Sequence, residues 1–251
     1  MKKSLYFNCI GKGTPLALLH GWGWSSQIWE PLIPLLSQRF QLFLIDLPGF
    51  GKSPLAADDY TFKAIAPLLF DCVPDKALWL GWSLGGMFTW WIAANYPEKV
   101  EKLITVSASP RFVQDGAWPG ISAPTLLQFA ASLKNNVEKT LTDFLELQLR
   151  GSPDYQSLLE ILQRQVRGAP PQLPALEGGL KLLQTVDLRN ELQKVKCPSL
   201  HVFGERDRIV PAEVAQFLPI GQSEVISKSG HLPFLSQQEI FLNAVFTFAD
   251  V

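Results

Sequence analysis

The chain of 251 residues carries 22 Lys and Arg against 23 Asp and Glu, a formal net charge of −1. That balance gives no electrostatic reason to expect nucleic acid, and no run of like charges points to a membrane surface. The length allows one α/β domain or two small ones, and the three cysteines, Cys9, Cys72 and Cys197, lie far apart in no metal or C-x-x-C spacing, so neither a disulfide framework nor a zinc site is indicated.

In chain order, Lys2 and Lys3 precede an apolar stretch that is short, is broken by Asn8 and has no small-residue cleavage site after it, so it is read as a first strand and not a signal peptide. No segment approaches the roughly 18 apolar residues of a membrane span. The expectation is a cytoplasmic protein. Residues 16–19 are apolar throughout, as a strand covered on both faces would be, and His20-Gly21-Trp22-Gly23-Trp24 follows directly. A helix is predicted over 29–36 and a strand over 42–45. The segment from Asp46 to Ser53 ends like a phosphate-binding loop, but the first glycine of that motif is replaced by Asp46, so the motif fails and the segment is a turn after a strand. A helix over 62–70 and an apolar strand over 77–80 come next.

Gly81-Trp82-Ser83-Leu84-Gly85 then places a serine between two glycines, after that strand and before a helix predicted over 84–94 and closed by Asn95-Tyr96-Pro97. A serine pushed out on a strained strand-to-helix turn needs flanks without side chains, because a Cβ two residues away on either side would collide. The pentapeptide alone also fits an ordinary glycine turn; the order of strand, turn and helix is what separates the two. A strand is predicted over 103–106. From about 112 to 187 no convincing strand occurs, and amphipathic helical stretches run over 137–149, with Leu141, Phe144, Leu145 and Gln148 at helical spacing, and over 158–166. The strand pattern resumes at Ser199, with an apolar run over 200–203. Strands alternating with helices imply a mostly parallel sheet with helices on both faces, here carrying a helical insert at roughly 112–187.

A serine nucleophile needs a base, and there are three histidines. His201 falls inside an apolar strand and faces the packing. His20 follows a strand and is expected to hold its loop by hydrogen bonding. His231 sits in Ser229-Gly230-His231-Leu232-Pro233, a loop before the final helix, where an imidazole suits a general base. The order serine, acid, histidine leaves Asp207 as the acid, after the strand over 200–203, with Glu205 and Asp187 as rivals; Glu205 is also placed to pair with Arg206 or Arg208, and Asp187 to cap a helix. For the oxyanion, the expected donors are the backbone N–H groups of Leu84, at a helix N-terminus, and Trp22. Trp22, Trp24 and Trp82 are candidates to line an apolar pocket, and Trp90 and Trp91 are expected in the core.

The segments from His20, Asp46 to Ser53, Gly81 to Gly86, Gly204 to Asp207 and Gly230-His231 together resemble the α/β-hydrolase superfamily over nearly the whole chain. Within it, Trp82 in the elbow, the stretch Phe144-Leu145-Glu146-Leu147-Gln148, and Gly178-Gly179-Leu180 running to Asp187-Leu188-Arg189 resemble the pimeloyl-acyl carrier protein methyl ester esterases of biotin synthesis. The resemblance implies one α/β-hydrolase domain over 1–251 with a helical cap, acting as a cofactor-free, metal-free serine esterase on a carrier-bound methyl ester. It implies a substrate channel lined by Trp22, Ser83, Leu84, Phe144, Leu145, Glu146, Leu147, Gln148 and His231. It also implies an acyl carrier protein partner, with no nucleic acid or membrane, and a monomer is expected. In that family basic cap side chains meet the acidic carrier. Here Lys139, Arg150, Arg164 and Arg167 are interleaved with Asp143, Glu146, Asp154 and Glu160, so the basic patch is thin. The rival readings are a broad small-ester or C–C bond hydrolase, and a ligand-binding receptor on the same fold.

Overall fold

The computed structural model describes residues 4–56, 59–153, 155–168 and 170–250, without the side chains of residues 161 and 164–167. Of the residues singled out above, Lys2, Lys3, Asp154 and the side chains of Arg164 and Arg167 therefore lie outside the described residues. The elements run β1 (Phe7–Ile10), β2 (Thr14–Leu19), α1 (Ile33–Leu36), β3 (Phe40–Ile45), α2 (Phe62–Phe70), β4 (Ala77–Trp82), α3 (Leu84–Asn95) and β5 (Val100–Val106). The helices α4 (Ala123–Asn135), α5 (Val137–Leu149), α6 (Tyr155–Gly168) and α7 (Leu173–Thr185) follow, before β6 (Ser199–Gly204), β7 (Gln222–Ile226), α8 (Pro233–Ser236) and α9 (Gln238–Ala249).

The sheet has seven strands in the order β1-β3-β2-β4-β5-β6-β7, parallel throughout except for β1, which runs antiparallel to β3. The chain builds to one side of β2, then crosses back to place β4 on the other. At such a switch the loops leaving the carboxyl ends of β2 and β4 diverge and open a crevice. The apolar runs read from the sequence are the central strands: every residue of β4 and β6 is buried. Alternate residues serve opposite faces, Ala17, Leu19 and Trp79 packing into one core and Leu16, Leu18, Leu78 and Leu80 into the other.

Helix ends follow local chemistry. Thr61 Oγ1 accepts from the Ala64 amide, and Asn136 Oδ1 accepts from Lys139 N at 2.9 Å, so α4 stops and α5 starts on one residue. The helix predicted over 29–36 is half a tighter 3-10 stretch, Ser26–Leu32, and half α1. Pro31 and Pro34 each lack an amide hydrogen, which prevents a continuous α-helical ladder there. Between β5 and β6 the described residues form isolated bridges, α4 to α7 and a 3-10 turn over Glu191–Lys194, with no further strand of the sheet. The Leu188 amide donates to the Pro110 carbonyl at 2.8 Å, tying the two ends of this insertion together over the sheet.

Candidate active site

Ser83 stands between β4 and α3 with φ 55° and ψ −116°, a left-handed backbone that a residue with a Cβ adopts only when its surroundings impose it. Its amide donates to Val106 O at 2.9 Å, continuing the ladder to β5, while its carbonyl accepts from Gly86 and Met87 and opens the helix. The glycine flanks are needed for close approach. A Cβ on Gly81 would meet the Gly85 carbonyl, and one on Gly85 would meet the carbonyls of Leu19 and His20. The elbow is thus wedged against the end of β2.

His231 Nδ1 lies 2.7 Å from Asp207 Oδ2, both side chains being out of contact with solvent. The other oxygen, Asp207 Oδ1, accepts from the amides of Ile209 (2.8 Å) and Val210 (3.0 Å), so its carboxylate cannot swing away. The imidazole is aimed from both sides of its own backbone: His231 N donates to Gln148 O of α5 at 3.2 Å, and His231 O accepts from Trp82 Nε1 at 2.8 Å. With Nδ1–H donating to the carboxylate, Nε2 presents its lone pair, and this buried nitrogen has no hydrogen-bond partner among the described residues. Of the rival acids, Glu205 accepts from the Lys228 amide at 2.9 Å and lies beside Arg206. Asp187 closes a turn onto Arg189 at the surface, and its pairing with that guanidinium holds its pKa below the usual carboxylate range. It caps no helix, since the next one, a 3-10 turn over Glu191–Lys194, has Asn190 at its cap position. Neither rival reaches His231.

His20 Nε2 accepts from the Leu47 amide at 3.0 Å, which puts the ring proton on Nδ1 and directs it to Gly21 O at 2.8 Å. Burial pushes the His20 pKa down, against the pull of the nearby Asp46 carboxylate, and a neutral ring suits both bonds. Asp46 accepts from Ser26 N (2.7 Å) and Lys52 N (2.8 Å), a turn-forming role in place of a phosphate site. His201 Nδ1 bonds Thr105 Oγ1 at 2.8 Å inside the sheet, as its apolar strand implies.

The amides of Trp22 and Leu84 have no acceptor among the described residues. The Trp22 indole packs edge-on to Phe129 of α4 (5.3 Å) and Phe144 of α5 (5.2 Å). Trp24 Nε1 donates to Gln148 Oε1 at 2.9 Å, leaving the buried Gln148 Nε2 donor without a partner among the described residues, beside a small void lined by Gly23, Trp24, Leu141, Phe144 and Leu145. Leu141 and Leu145 are also one wall of an apolar crevice of about 350 Å³, closed on the far side by Gln163, Pro170 and Pro171. Glu146 stands roughly 160° around α5 from Gln148 and is half-buried on the opposite face, with Leu147 on the flank. Five consecutive residues of one helix cannot share a face. Trp82 is core, buried beneath His231, and Trp91 is only half-buried, unlike Trp90. The anchoring of His231 by Trp82 and Gln148 was not foreseeable from spacing. A tryptophan inside the elbow motif was the one local signal.

No group of three or more His, Cys, Asp or Glu among the described residues is arranged to hold a metal ion, and no helix among them is long and apolar enough to cross a membrane.

A family model described as alpha/beta hydrolase fold matches residues 14–238. A protein of Legionella pneumophila (strain Lens), named pimeloyl-[acyl-carrier protein] methyl ester esterase, is 37% identical over 244 residues, covering 95% of this chain and 96% of the relative. One of the same name from Proteus mirabilis (strain HI4320) is 40% identical, covering 94% and 93%. Among solved structures, an esterase from Exiguobacterium antarcticum superposes with a TM-score of 0.87 at 24% identity, over 98% of this chain and 96% of that one, a likeness of fold.

Proposed function

The chain belongs to the α/β-hydrolase fold family and, within it, to the pimeloyl-[acyl-carrier protein] methyl ester esterases, and on that premise we propose the chemistry of its site and its working partner. It is a serine carboxylesterase that cleaves the methyl ester of a carrier-bound pimeloyl chain, leaving the free acid and methanol. The observation that carries the assignment of roles is the buried Asp207–His231 pair, with a bare Nε2, held close over the elbow that presents Ser83.

In the reaction His231 Nε2 takes the Ser83 proton as Oγ attacks the ester carbonyl, and the charge on the carbonyl oxygen falls to the amides of Leu84 and Trp22. Collapse of the tetrahedral adduct breaks the C–OCH₃ bond, and His231 returns the proton to the departing methoxide. Water, deprotonated by the same nitrogen, then releases the pimeloyl acid from Ser83. Asp207 keeps Nδ1 protonated and stabilises the imidazolium formed in both halves. The crevice beyond Leu141 and Leu145 supplies apolar walls for a methylene chain. The partner is an acyl carrier protein, approached from the cap, and the enzyme works as a cytoplasmic monomer with no cofactor.

The test is hydrolysis of carrier-bound pimeloyl methyl ester against free dimethyl pimelate, after active-site labelling with a fluorophosphonate. Labelling with a kcat/KM at least tenfold higher on the carrier-bound ester is expected. Equal rates on both would point to a broad small-ester hydrolase, and labelling without turnover to a receptor.

A further inference from the structure

We propose that helix α7 of the cap is a built-in part of the oxyanion hole, Gly179 and the Trp22 indole being the positioning elements that set both donors; this rests on the assignment of the Trp22 and Leu84 amides above. The Trp22 amide sits in a loop whose start is tied down by His20, which bonds the Gly21 carbonyl and the Leu47 amide, while Trp22 itself is held by no backbone bond of its own among the described residues. Gly21 and Gly23 flank it, Gly23 at φ 81°, and the nearest bond across the turn, from Trp24 N to Gly21 O, is a long 3.4 Å. What fixes the residue is its side chain. Trp22 Nε1 donates to the carbonyl of Leu176 in α7 at 2.8 Å, and the ring is wedged by Phe129 and Phe144 from α4 and α5.

One turn further along α7, a Cβ built on Gly179 would stand 2.8 Å from Trp22 Cδ1 and 3.1 Å from Leu84 Cδ2. A single cap position therefore leaves no room for a side chain against either of the two residues assigned above as oxyanion donors. Glycine is a poor helix former, and Gly178 and Gly179 are adjacent inside a helix of 13 residues without a left-handed φ at either. Backbone freedom does not explain them; close approach does. Gly178 lies against the Tyr60 ring and Gly179 against Trp22 and Leu84. Oxyanion stabilisation depends on donor positions held to a few tenths of an ångström. The route by which this cap element acts is thus steric and runs through two named side chains.

The experiment compares Gly179→Ala and Trp22→Phe with wild type on p-nitrophenyl acetate, which needs neither carrier nor acyl channel, with active sites counted by fluorophosphonate titration. For Gly179→Ala, kcat per active site is expected to fall about 10- to 100-fold with KM changed by less than about threefold. Affinity for a trifluoromethyl ketone, whose Ser83 adduct carries an oxyanion, should weaken by the same factor as kcat/KM. Trp22→Phe, which keeps the amide but removes the bond to Leu176 and part of the ring packed on Phe129 and Phe144, should lose roughly 3- to 10-fold in kcat, and the double variant should lose less than the product of the two. Wild-type kcat per active site and wild-type ketone affinity in either folded variant would overturn the proposal. So would a Gly179→Ala loss that lies wholly in the number of active sites. Should Gly179→Ala not fold, Trp22→Phe decides alone. If wild type turns over p-nitrophenyl acetate but not the carrier-bound ester, the substrate assignment falls and this inference stands.

Discussion

Asp207 divides its two oxygens between tasks: one receives two backbone amides and the other receives His231. Replacing it with Asn keeps the shape but offers an N–H where the imidazole needs an acceptor, so the ring takes the wrong tautomer. Asp207→Asn is therefore expected to lower kcat by about 10⁴-fold, close to the loss from Ser83→Ala or His231→Ala, with thermal stability near wild type. Glu205→Gln and Asp187→Asn should each stay within about twofold, because Glu205 serves the Lys228 amide and Asp187 serves Arg189. Steady-state kinetics on p-nitrophenyl acetate checks all five. Near-normal activity in Asp207→Asn would move the acid role elsewhere. The same logic of defined tasks covers His20, whose Nε2 already accepts the Leu47 amide and so cannot also accept a proton from the nucleophile.

The elements matter through where they end. β2 and β4 finish side by side at the switch of strand order, so the loop after β2 and the elbow after β4 face each other. Their contact is a backbone contact: Gly85 lies against the carbonyls of Leu19 and His20. Gly85→Ala should therefore displace one loop from the other, costing about 1–3 kcal/mol of stability and at least tenfold in kcat, read by urea unfolding and initial rates together. A variant unchanged in both would mean that the elbow and β2 are less tightly coupled than the geometry requires. Trp82 does a comparable job one residue before the nucleophile, binding the His231 carbonyl from beneath, so a single strand end supplies both the serine and a support for its base.

At the scale of the whole molecule, two consequences concern charge. His201 is buried between Thr105 and the Trp90 ring, close to the backbone of Ile220 and Gly221, and burial lowers its pKa from 6.5 to about 4. Between those values the unfolded chain binds the proton and the folded protein does not, so this residue's contribution to stability falls as pH drops from 6.5 and is fully lost only below about 4. The loss across that window is at most about 3 kcal/mol, and His20, also lowered, acts with the same sign. Thermal melts of His201→Gln at pH 7 and pH 4.5 should show a smaller decline than wild type, whatever the absolute Tm; an equal decline would place the acid sensitivity elsewhere. The second consequence is steering toward the carrier. Lys139 is already paired with Asp143 at 2.6 Å, whereas Arg150 is exposed at the end of α5, next to the loop that carries His231. Reversing Arg150 to Glu should therefore lower kcat/KM on the carrier-bound ester a few-fold at low salt, more than Lys139→Glu does, and leave dimethyl pimelate unchanged. Equal losses on the two substrates would sink a docking role for this end of the cap.

Much of this architecture could be read without coordinates because it follows from short-range rules. Buried parallel strands are continuous apolar runs, and an elbow needs glycine at fixed offsets from its serine. A helix begins where Thr61 or Asn136 can receive an amide. Spacing along the chain carries all of that, and so the strands other than the mostly exposed edge strand β7, the elbow, α2 and α5 were legible, as was the order of an acid before His231. The prolines at 31 and 34 are equally visible in the sequence, and their missing amides are why the first half of the helix expected over 29–36 is a 3-10 stretch. Contacts made across the fold are another matter. Trp22 meets the Leu176 carbonyl 154 residues away, Trp24 meets Gln148 across 124, and Trp82 meets the His231 carbonyl across 149. No local pattern specifies such pairs, since each depends on the cap lying down on the sheet at one depth and angle. Which of three carboxylates touches the histidine, which side of α5 faces the site, and why two glycines sit inside α7 were decided only there, by packing.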